Sequence, residues 1–519
     1  MIYRSTAPDI EIPDVMLPEF VLRDAAARGD KPALIDMPSG RTITYAALDA
    51  LSRGVGAGLR ARGLEPGQVV GIFAPNLPEY APAFLGVGLA GGVNTTVNGL
   101  YTSDELRNQL RTARARFLIT VGPMLDRALP AAEAAGIEEV FTFDGAEGTT
   151  PFADLVGDPA ALRIPELDPA TALAAMPFSS GTTGLPKGVM LTHRNLVANL
   201  LQAQAHFEIR TNDVLAGVLP FFHIYGQTGV MNLGLAYGAT VVTMPRFDLE
   251  RFLRMIQDYK LTVAQIVPPI AVALAKHPLV DEFDLSSLEM VNSGAAPLDA
   301  ELELAYASRI GTRCQQGYGM TETSPVTHCT PRSQPHVPGS IGTLVPNTEA
   351  RIVEVETGQD ADPGEPGELL VRGPQVMIGY MDDAEATART LDSEGWLHTG
   401  DVAARDADGT WRIVDRVKEL IKYKGYQVPP AMLEALLLTH EDIVDACVIG
   451  APDEECGEIP KAFVVARGDV DAHALMAFVA RQVAPHERIR AVEVVDEIPK
   501  SASGKLLRRV LVERERART

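Results

Sequence analysis

Only four cysteines occur in the 519 residues, at Cys314, Cys329, Cys447 and Cys456, and no two are spaced as a CxxC pair. They are too few and too scattered for a disulfide framework or a zinc site, so they are expected to be packing residues of a chain that works in a reducing compartment. Long apolar runs are missing too: no window reaches the roughly 18 apolar residues that a membrane-spanning helix needs. The opening MIYRSTAPDIEIPD places acids and prolines where a leader would place a basic stretch and then an apolar one. That composition predicts a cytoplasmic chain with no stable membrane association. Basic charge is in deficit, with 46 Lys and Arg against 68 Asp and Glu and a formal net charge of −22. A surface of that sign repels nucleic acids, which excludes polyanion binding as a general role. What is present, 46% apolar residues over this length, is enough for several cores and predicts a folded, multidomain protein.

Apolar β-rich runs alternate with amphipathic helical ones. VVGIFAP (69–75) is followed by PEYAPAFLGVGLAGG, SDELRNQLRTARA, RFLITV and EEVFTFD, the pattern of βαβ units around largely parallel sheets. Glycine and proline cluster in ADPGEPGELLVRGP (361–374), which reads as turns between short strands of a β-rich section. Near Asp415 the composition changes: RVKELIKYKGYQVPP holds Arg416, Lys418, Lys422 and Lys424 within ten positions. Beyond it, helical runs alternate with strands around DACVIG, KAFVVAR and AVEVV, enough for a small α+β domain of about 100 residues. The expected fold is α/β. Residues 1–415 form a large N-terminal domain of βαβ-layered sheets plus a β-rich section, and 416–519 form a small α+β C-terminal domain.

The stretch FSSGTTGLPKGVMLTHRN (178–195) lines up hydroxyls and glycines, closes on one lysine and reads as stepping straight into a helix. Glycines at 181, 184 and 188 let backbone N–H groups approach an anion, Ser179, Ser180, Thr182 and Thr183 offer hydroxyl donors, and Lys187 supplies charge. A Walker loop needs GxxxxGK followed by Ser or Thr; here the spacing is wrong and Gly188 follows the lysine. A triphosphate cradle of another kind fits, and a plain Ser/Thr/Gly turn with a solvated lysine is the alternative.

That loop is the first of eight blocks. PFFHIYG (220–226), NSGAAPL (292–298), QGYGMTE (316–322), GELLVRGPQVMIGY (367–380), WLHTGD (396–401), VDRVKELIKYKGYQV (414–428) and PKSASGK (499–505) follow in order. Together they resemble the adenylate-forming superfamily of acyl-CoA synthetases, adenylation domains and firefly luciferase, and within it most resemble the 4-coumarate-CoA ligases. The resemblance implies a two-step reaction. A carboxylate attacks the α-phosphate of ATP to give acyl-AMP and pyrophosphate, and the thiol of coenzyme A then displaces AMP. Both first-step reactants are anions, so cations and hydroxyls must converge where they meet.

Carried over position by position, the resemblance implies that Glu322 is the Mg2+ ligand and that Thr321 contacts the α-phosphate or acyl carbonyl. A hard cation shares its oxygen ligands with substrate phosphates, so one protein carboxylate can suffice. Ser179, Ser180, Gly181, Thr182, Thr183 and Lys187 would face the phosphates, and Gln316 and Gly317 the nucleotide. Asp401 would accept the ribose hydroxyls with Arg416 assisting, and Lys418, Lys422 and Gln427 would lie toward AMP. Lys505 would clamp carboxylate and α-phosphate electrostatically during adenylation. The small domain is implied to be mobile about a hinge at 415–418, withdrawing Lys505 and presenting Lys424 and Gly425 to coenzyme A, with Arg246 meeting its phosphates. His223 would close over the acyl group; the plainer reading is a satisfied core histidine.

The implied acyl lining is Tyr225, Gly229, Asn292, Ala295, Gly317, Gly319, Pro325 and Val326. Small residues at 229, 295 and 319 are expected to leave room for a flat ring, and Asn292 to bond a para-hydroxyl. No acidic residue stands in FFHIYGQTGVMNLGL to pair an ammonium, which disfavours amino acids. The expected substrate is a 4-coumarate- or cinnamate-type aryl acid. Alternatives are a medium- or long-chain fatty acid, or acyl-AMP transfer to a carrier protein; a non-catalytic ATP sensor would not require Lys505.

Overall fold

The computed structural model describes residues 1–179, 186–424, 426–453, 455–500 and 506–518. The expected site residues Ser180, Gly181, Thr182, Thr183, Gly425 and Lys505 lie outside the described residues.

Two large sheets form the body of the molecule. In the first, six parallel strands run in the order Arg313–Gln316, Met290–Ser293, Val263–Ile266, Val214–Gly217, Thr240–Thr243 and Pro32–Asp36, with Thr42–Thr44 antiparallel at the edge. In the second, Val69–Ile72 lies between Val93–Thr96 and Ala115–Thr120, all parallel. All four residues of Val69–Ile72 are buried, which is what a strand covered on both faces requires and why its sequence is a continuous apolar run. Helix Tyr80–Leu89 is buried all round, as an apolar helix packed between layers must be.

The stretch containing the hydroxyl-rich loop departs from the sequence expectation. Lys187 does not lead into a helix; it opens a six-residue strand, Lys187–Thr192, antiparallel to Phe178–Ser179 with Ser179 opposite Lys187. The helix His193–Phe207 begins only afterwards, at a capping box in which Thr192 and Asn195 exchange side-chain and backbone bonds. Pairing of KGVMLT with strands on both sides overrides the helix-like reading of the motif. The strands that flank the loop pair antiparallel, and the helix starts only at His193.

The glycine- and proline-rich section does form turns, between Glu349–Val353 and Gly367–Arg372. These pair with Tyr3–Arg4, Leu397–Arg405 and Trp411–Arg416 in an all-antiparallel five-stranded sheet. Beyond it a smaller C-terminal unit carries its own cores, one around Ile421, Leu433, Val448 and Val464 and another around Phe463, Ile498 and Leu511. Its sheet comprises Ile421–Tyr423, Tyr426–Val428, Ile443–Asp453, Gly457–Ala466 and Ala491–Val494, so the mixed α/β architecture of a large N-terminal and a small C-terminal part is as expected.

The four cysteines are free, three of them buried. Burial pushes the thiols of Cys314, Cys329 and Cys447 well up. Among the described residues no helix is long and apolar enough to cross a membrane.

Candidate active site

Two segments of the second large sheet converge on Glu322, which stands beside the three-stranded one. The carboxylate stands in the turn Thr321–Thr323, between the strands Tyr318–Gly319 and Val326–Cys329. It is 4% exposed. Its Oε1 accepts from the Ser179 hydroxyl at 2.8 Å and from the Tyr380 hydroxyl at 2.9 Å. Tyr380 is brought there because Gly379–Tyr380 pairs antiparallel with the strand that begins at Lys187. Lys187 itself lies 3.4 Å from Asp383 and 5.2 Å from the centre of the Tyr380 ring. The oxygen-rich cluster of Glu322 and Ser179 is a donor set for a hard cation.

A second carboxylate, Asp401, is directly paired with Arg416 across the antiparallel strands. Oδ1 accepts from Arg416 Nε at 3.0 Å and Oδ2 from the Tyr318 hydroxyl at 2.6 Å. Burial opposes the charge on Arg416, but Asp401 and Glu419 outweigh it and raise its pKa. Burial and the neighbouring Asp401 push the Tyr318 phenol well up. Glu368 braces the same strand, accepting from Gly400 N at 3.1 Å and contacting His398 Nδ1 at 3.2 Å. Lys418 is lowered by burial and then by the repulsion of Lys187, Arg389 and Arg416. Two basic residues expected at the nucleotide, Lys187 and Lys418, are thus electrostatic neighbours, and an otherwise acidic protein gathers positive charge at one place.

On the acyl side, His223 caps the short helix Ile224–Gly226, its Nδ1 accepting from Tyr225 N at 3.2 Å. His223, Tyr225, Val267 and Ala295 share the wall of a cavity of about 10 Å3, the size of one water. The room expected beside two glycines is occupied. A Cβ at Gly229 would stand 3.1 Å from the Tyr225 ring, and one at Gly319 would stand 2.0 Å from the carbonyl oxygen of Pro325. At Gly319 backbone contact requires glycine; at Gly229 a methyl group would press only on the Tyr225 ring. Asn292 is also not waiting for a phenol: its amide donates to Tyr225 at 3.0 Å and to Gln265 at 3.0 Å. The Gln316 side chain is spent on both backbone groups of Leu298, so it secures the Gly294–Leu298 turn. Gly317 abuts the carbonyl of His328, and Val326 is held at both backbone groups by Asn199.

Lys422 and Gln427 face each other across the exposed C-terminal hairpin, and Gln427 reaches Glu356 at 3.4 Å. Lys424 sits at its turn with φ +48°. Arg246 is exposed beyond the strand Thr240–Thr243. No described hydrogen bond joins Arg246, Lys422 or Lys424 to Glu322 or Asp401. Sequence reasoning passed over Tyr318, Tyr380 and Glu368, although all three lie inside the quoted blocks, because each meets its partner only through strand pairing across the fold.

The family model described as "AMP-binding enzyme" matches residues 21–381, and that of the "AMP-binding enzyme C-terminal domain" matches 432–505. The chain belongs to the AMP-binding enzyme family. Among relatives, 4-coumarate-CoA ligase 5 of Oryza sativa subsp. japonica is 42% identical over 523 residues, covering 98% of this chain and 96% of the relative. The 4-coumarate-CoA ligase of Pinus taeda is also 42% identical, covering 98% and 97%. Among solved structures, the anthranilate CoA ligase AuaEII in complex with anthranoyl-AMP superposes with a TM-score of 0.90 at 25% identity, covering 98% of each chain. ATP-bound MatB from Rhodopseudomonas palustris gives 0.87 at 28% identity, over 96% and 99%. For an AMP-binding enzyme, Glu322 and Asp401 become the two carboxylates to weigh first.

Proposed function

We propose that the protein is an AMP-forming acid-CoA ligase that activates an aryl acid of the 4-coumarate or cinnamate type and passes it to coenzyme A. The observation that carries this is the 42% identity to 4-coumarate-CoA ligases over nearly the whole chain.

In this reading Lys187 and Lys418 hold the phosphates of ATP against their own repulsion and that of the incoming carboxylate, and Asp401, with Arg416 assisting, holds the ribose. Mg2+, when bound with ATP, supplies charge neutralisation at the phosphates; the Glu322 carboxylate and the Ser179 hydroxyl would hold it. Thr321 faces the reacting carbonyl. Preorganised cations of this kind act where charge develops and cost no rearrangement at the moment of reaction. Free, buried thiols support a cytoplasmic placement.

The C-terminal unit from about residue 416 is proposed to swing about 415–418 between the two half-reactions. The described residues on either side of 501–505 are paired. Lys500 pairs with Asp445 at 2.6 Å, and Arg508 pairs with Glu419 and Glu434. Glu419 directly follows the hinge, so Arg508 is anchored beside it. Lys505 is assigned to adenylation, and Lys424 and Gly425, with Arg246, to coenzyme A.

The test is a panel of cinnamic, benzoic and C6 to C12 acids assayed for AMP and pyrophosphate with and without coenzyme A; release of ADP overturns the reading. Lys505→Ala should lose about 100- to 1000-fold in pyrophosphate release and keep thioester formation from supplied acyl-AMP. Equal loss of both half-reactions contradicts the assignment.

A further inference from the structure

Tyr380 touches two opposite charges at once. Its hydroxyl donates to Glu322 Oε1 at 2.9 Å, and the centre of its ring stands 5.2 Å from Lys187 Nζ. Strand register accounts for the double contact. Val189 is directly paired with Tyr380, and Lys187, two positions before Val189, projects from the same face of its strand. A diagonal cross-strand neighbour of that kind is within reach of an aromatic ring. The Tyr380 backbone is fixed from behind: its N–H donates to Thr387 Oγ1 at 2.9 Å, and that hydroxyl donates to the carbonyl of Asp383 at 2.8 Å. At the preceding Gly379 φ is +146°, and a Cβ would stand 2.9 Å from Thr387 Cγ2. Glycine there lets the helix Ala384–Thr390 close on the strand.

The two charges that Tyr380 touches do not pair with each other. Among the described residues Lys187 pairs with Asp383, at 3.4 Å, and both hydroxyls that reach Glu322, those of Ser179 and Tyr380, donate to Oε1. Glu322 is 4% exposed and the Lys187 side chain 16%. Opposite charges so poorly solvated attract strongly, and once paired they must be separated before a cation or a phosphate can take either one. A phenol holds each without neutralising it, the hydroxyl donating to the carboxylate and the ring face receiving the ammonium. Burial first, and then Glu322, push the Tyr380 phenol well up, so the hydroxyl keeps the proton that it donates.

We propose that Tyr380 is a positioning residue: by holding the Glu322 carboxylate at its hydroxyl and the Lys187 ammonium on its ring, it keeps the two from pairing. The lysine then stays available to the phosphates of ATP, and the carboxylate to the cation that travels with them. This rests on the acid-CoA ligase reading. A buried tyrosine that has merely found an acceptor for its hydroxyl would fill the same space and separate no charges.

Binding tells the two apart without turnover. Metal-free ATP, titrated by calorimetry in the presence of a chelator, reports on Lys187. Tyr380→Leu should weaken it by about fivefold or more, because the lysine is captured by Glu322. In a Glu322→Gln background the same change should alter it by less than about twofold, because no carboxylate remains to capture the lysine. Equal weakening in both backgrounds is what a space-filling tyrosine gives and overturns the proposal; so does unchanged or tighter binding in Tyr380→Leu. Tyr380→Phe keeps the volume and the ring face and serves as the second variant. It should hold metal-free ATP within about twofold of wild type. Its affinity for Mn2+, read by electron paramagnetic resonance with a non-hydrolysable ATP analogue present, should fall about tenfold or more. Unchanged Mn2+ affinity in Tyr380→Phe also sinks the assignment. A wild-type protein that binds ATP but releases no pyrophosphate with any acid overturns the ligase reading and leaves these affinities to decide Tyr380; one that binds no ATP overturns both.

Discussion

Asp401 has both carboxylate oxygens occupied, one by Arg416 and one by Tyr318. An asparagine there would set an NH2 against one of two donors and leave Arg416 without its countercharge. Hydrogen bonds to charged groups contribute about 1.5–3 kcal/mol, so Asp401→Asn should raise KM for ATP by about tenfold or more while kcat falls less; initial rates against ATP concentration check it. A change confined to kcat would remove Asp401 from nucleotide binding. At this scale the carboxylates themselves were legible, because Glu322 and Asp401 each end a recognisable block. Their hydroxyl partners were not. Tyr380 reaches Glu322 only because Gly379–Tyr380 pairs with a strand nearly 190 residues upstream in the chain, and no local pattern encodes that pairing.

Between strands, the tightest constraint in the site is Gly319. A methyl group there would stand 2.0 Å from the Pro325 carbonyl oxygen and 2.7 Å from its carbon. Both are backbone atoms that cannot rotate away. Gly319→Ala should therefore destabilise by about 2 kcal/mol or more, read as a lower denaturation midpoint; an unshifted midpoint would show that the turn can open. The same paired strands explain why Gly319 misled the sequence reading. A small residue reads locally as space for a ring, whereas at Gly319 the backbone of Pro325 already stands where a Cβ would go. The hydroxyl-rich stretch errs in the opposite sense. Its chemistry was legible, but the strand Lys187–Thr192 was hidden because a sheet neighbour decides whether six such residues extend or coil.

In the molecule as a whole, Asp415 ties the antiparallel five-stranded sheet to the helix Pro430–Leu438: its carboxylate accepts from Arg416 N at 2.6 Å and from Ala431 N at 2.8 Å. Burial, only partly opposed by the Ala431 N–H and by Arg508, pushes it up from 3.8 to about 6. A carboxyl raised on folding binds its proton more tightly in the native state. Its contribution is fully present below the ordinary carboxylate value and is lost as pH rises through about 6. From pH 5 to 7.5 the wild-type protein should lose about 1.4 kcal/mol that Asp415→Asn does not lose. Parallel pH profiles of denaturation midpoints for the two proteins would contradict this. The composition change near 415 was visible in sequence; the buried acid at the junction was not, since burial is set by both parts together.

The chain alone determined its class of chemistry and its α/β layering. The layering is written in short-range terms, the alternating apolar periods, and the chemistry in the resemblance carried by eight ordered blocks, three of which close on a lysine or carboxylate. Only the tertiary structure decided which hydroxyls press on Glu322 and Asp401, that Gly319 is a wall and not an opening, and that Tyr380 touches both Glu322 and Lys187. Those facts depend on strands distant in sequence lying in register, and a side chain's partner is fixed by that register and not by its neighbours along the chain.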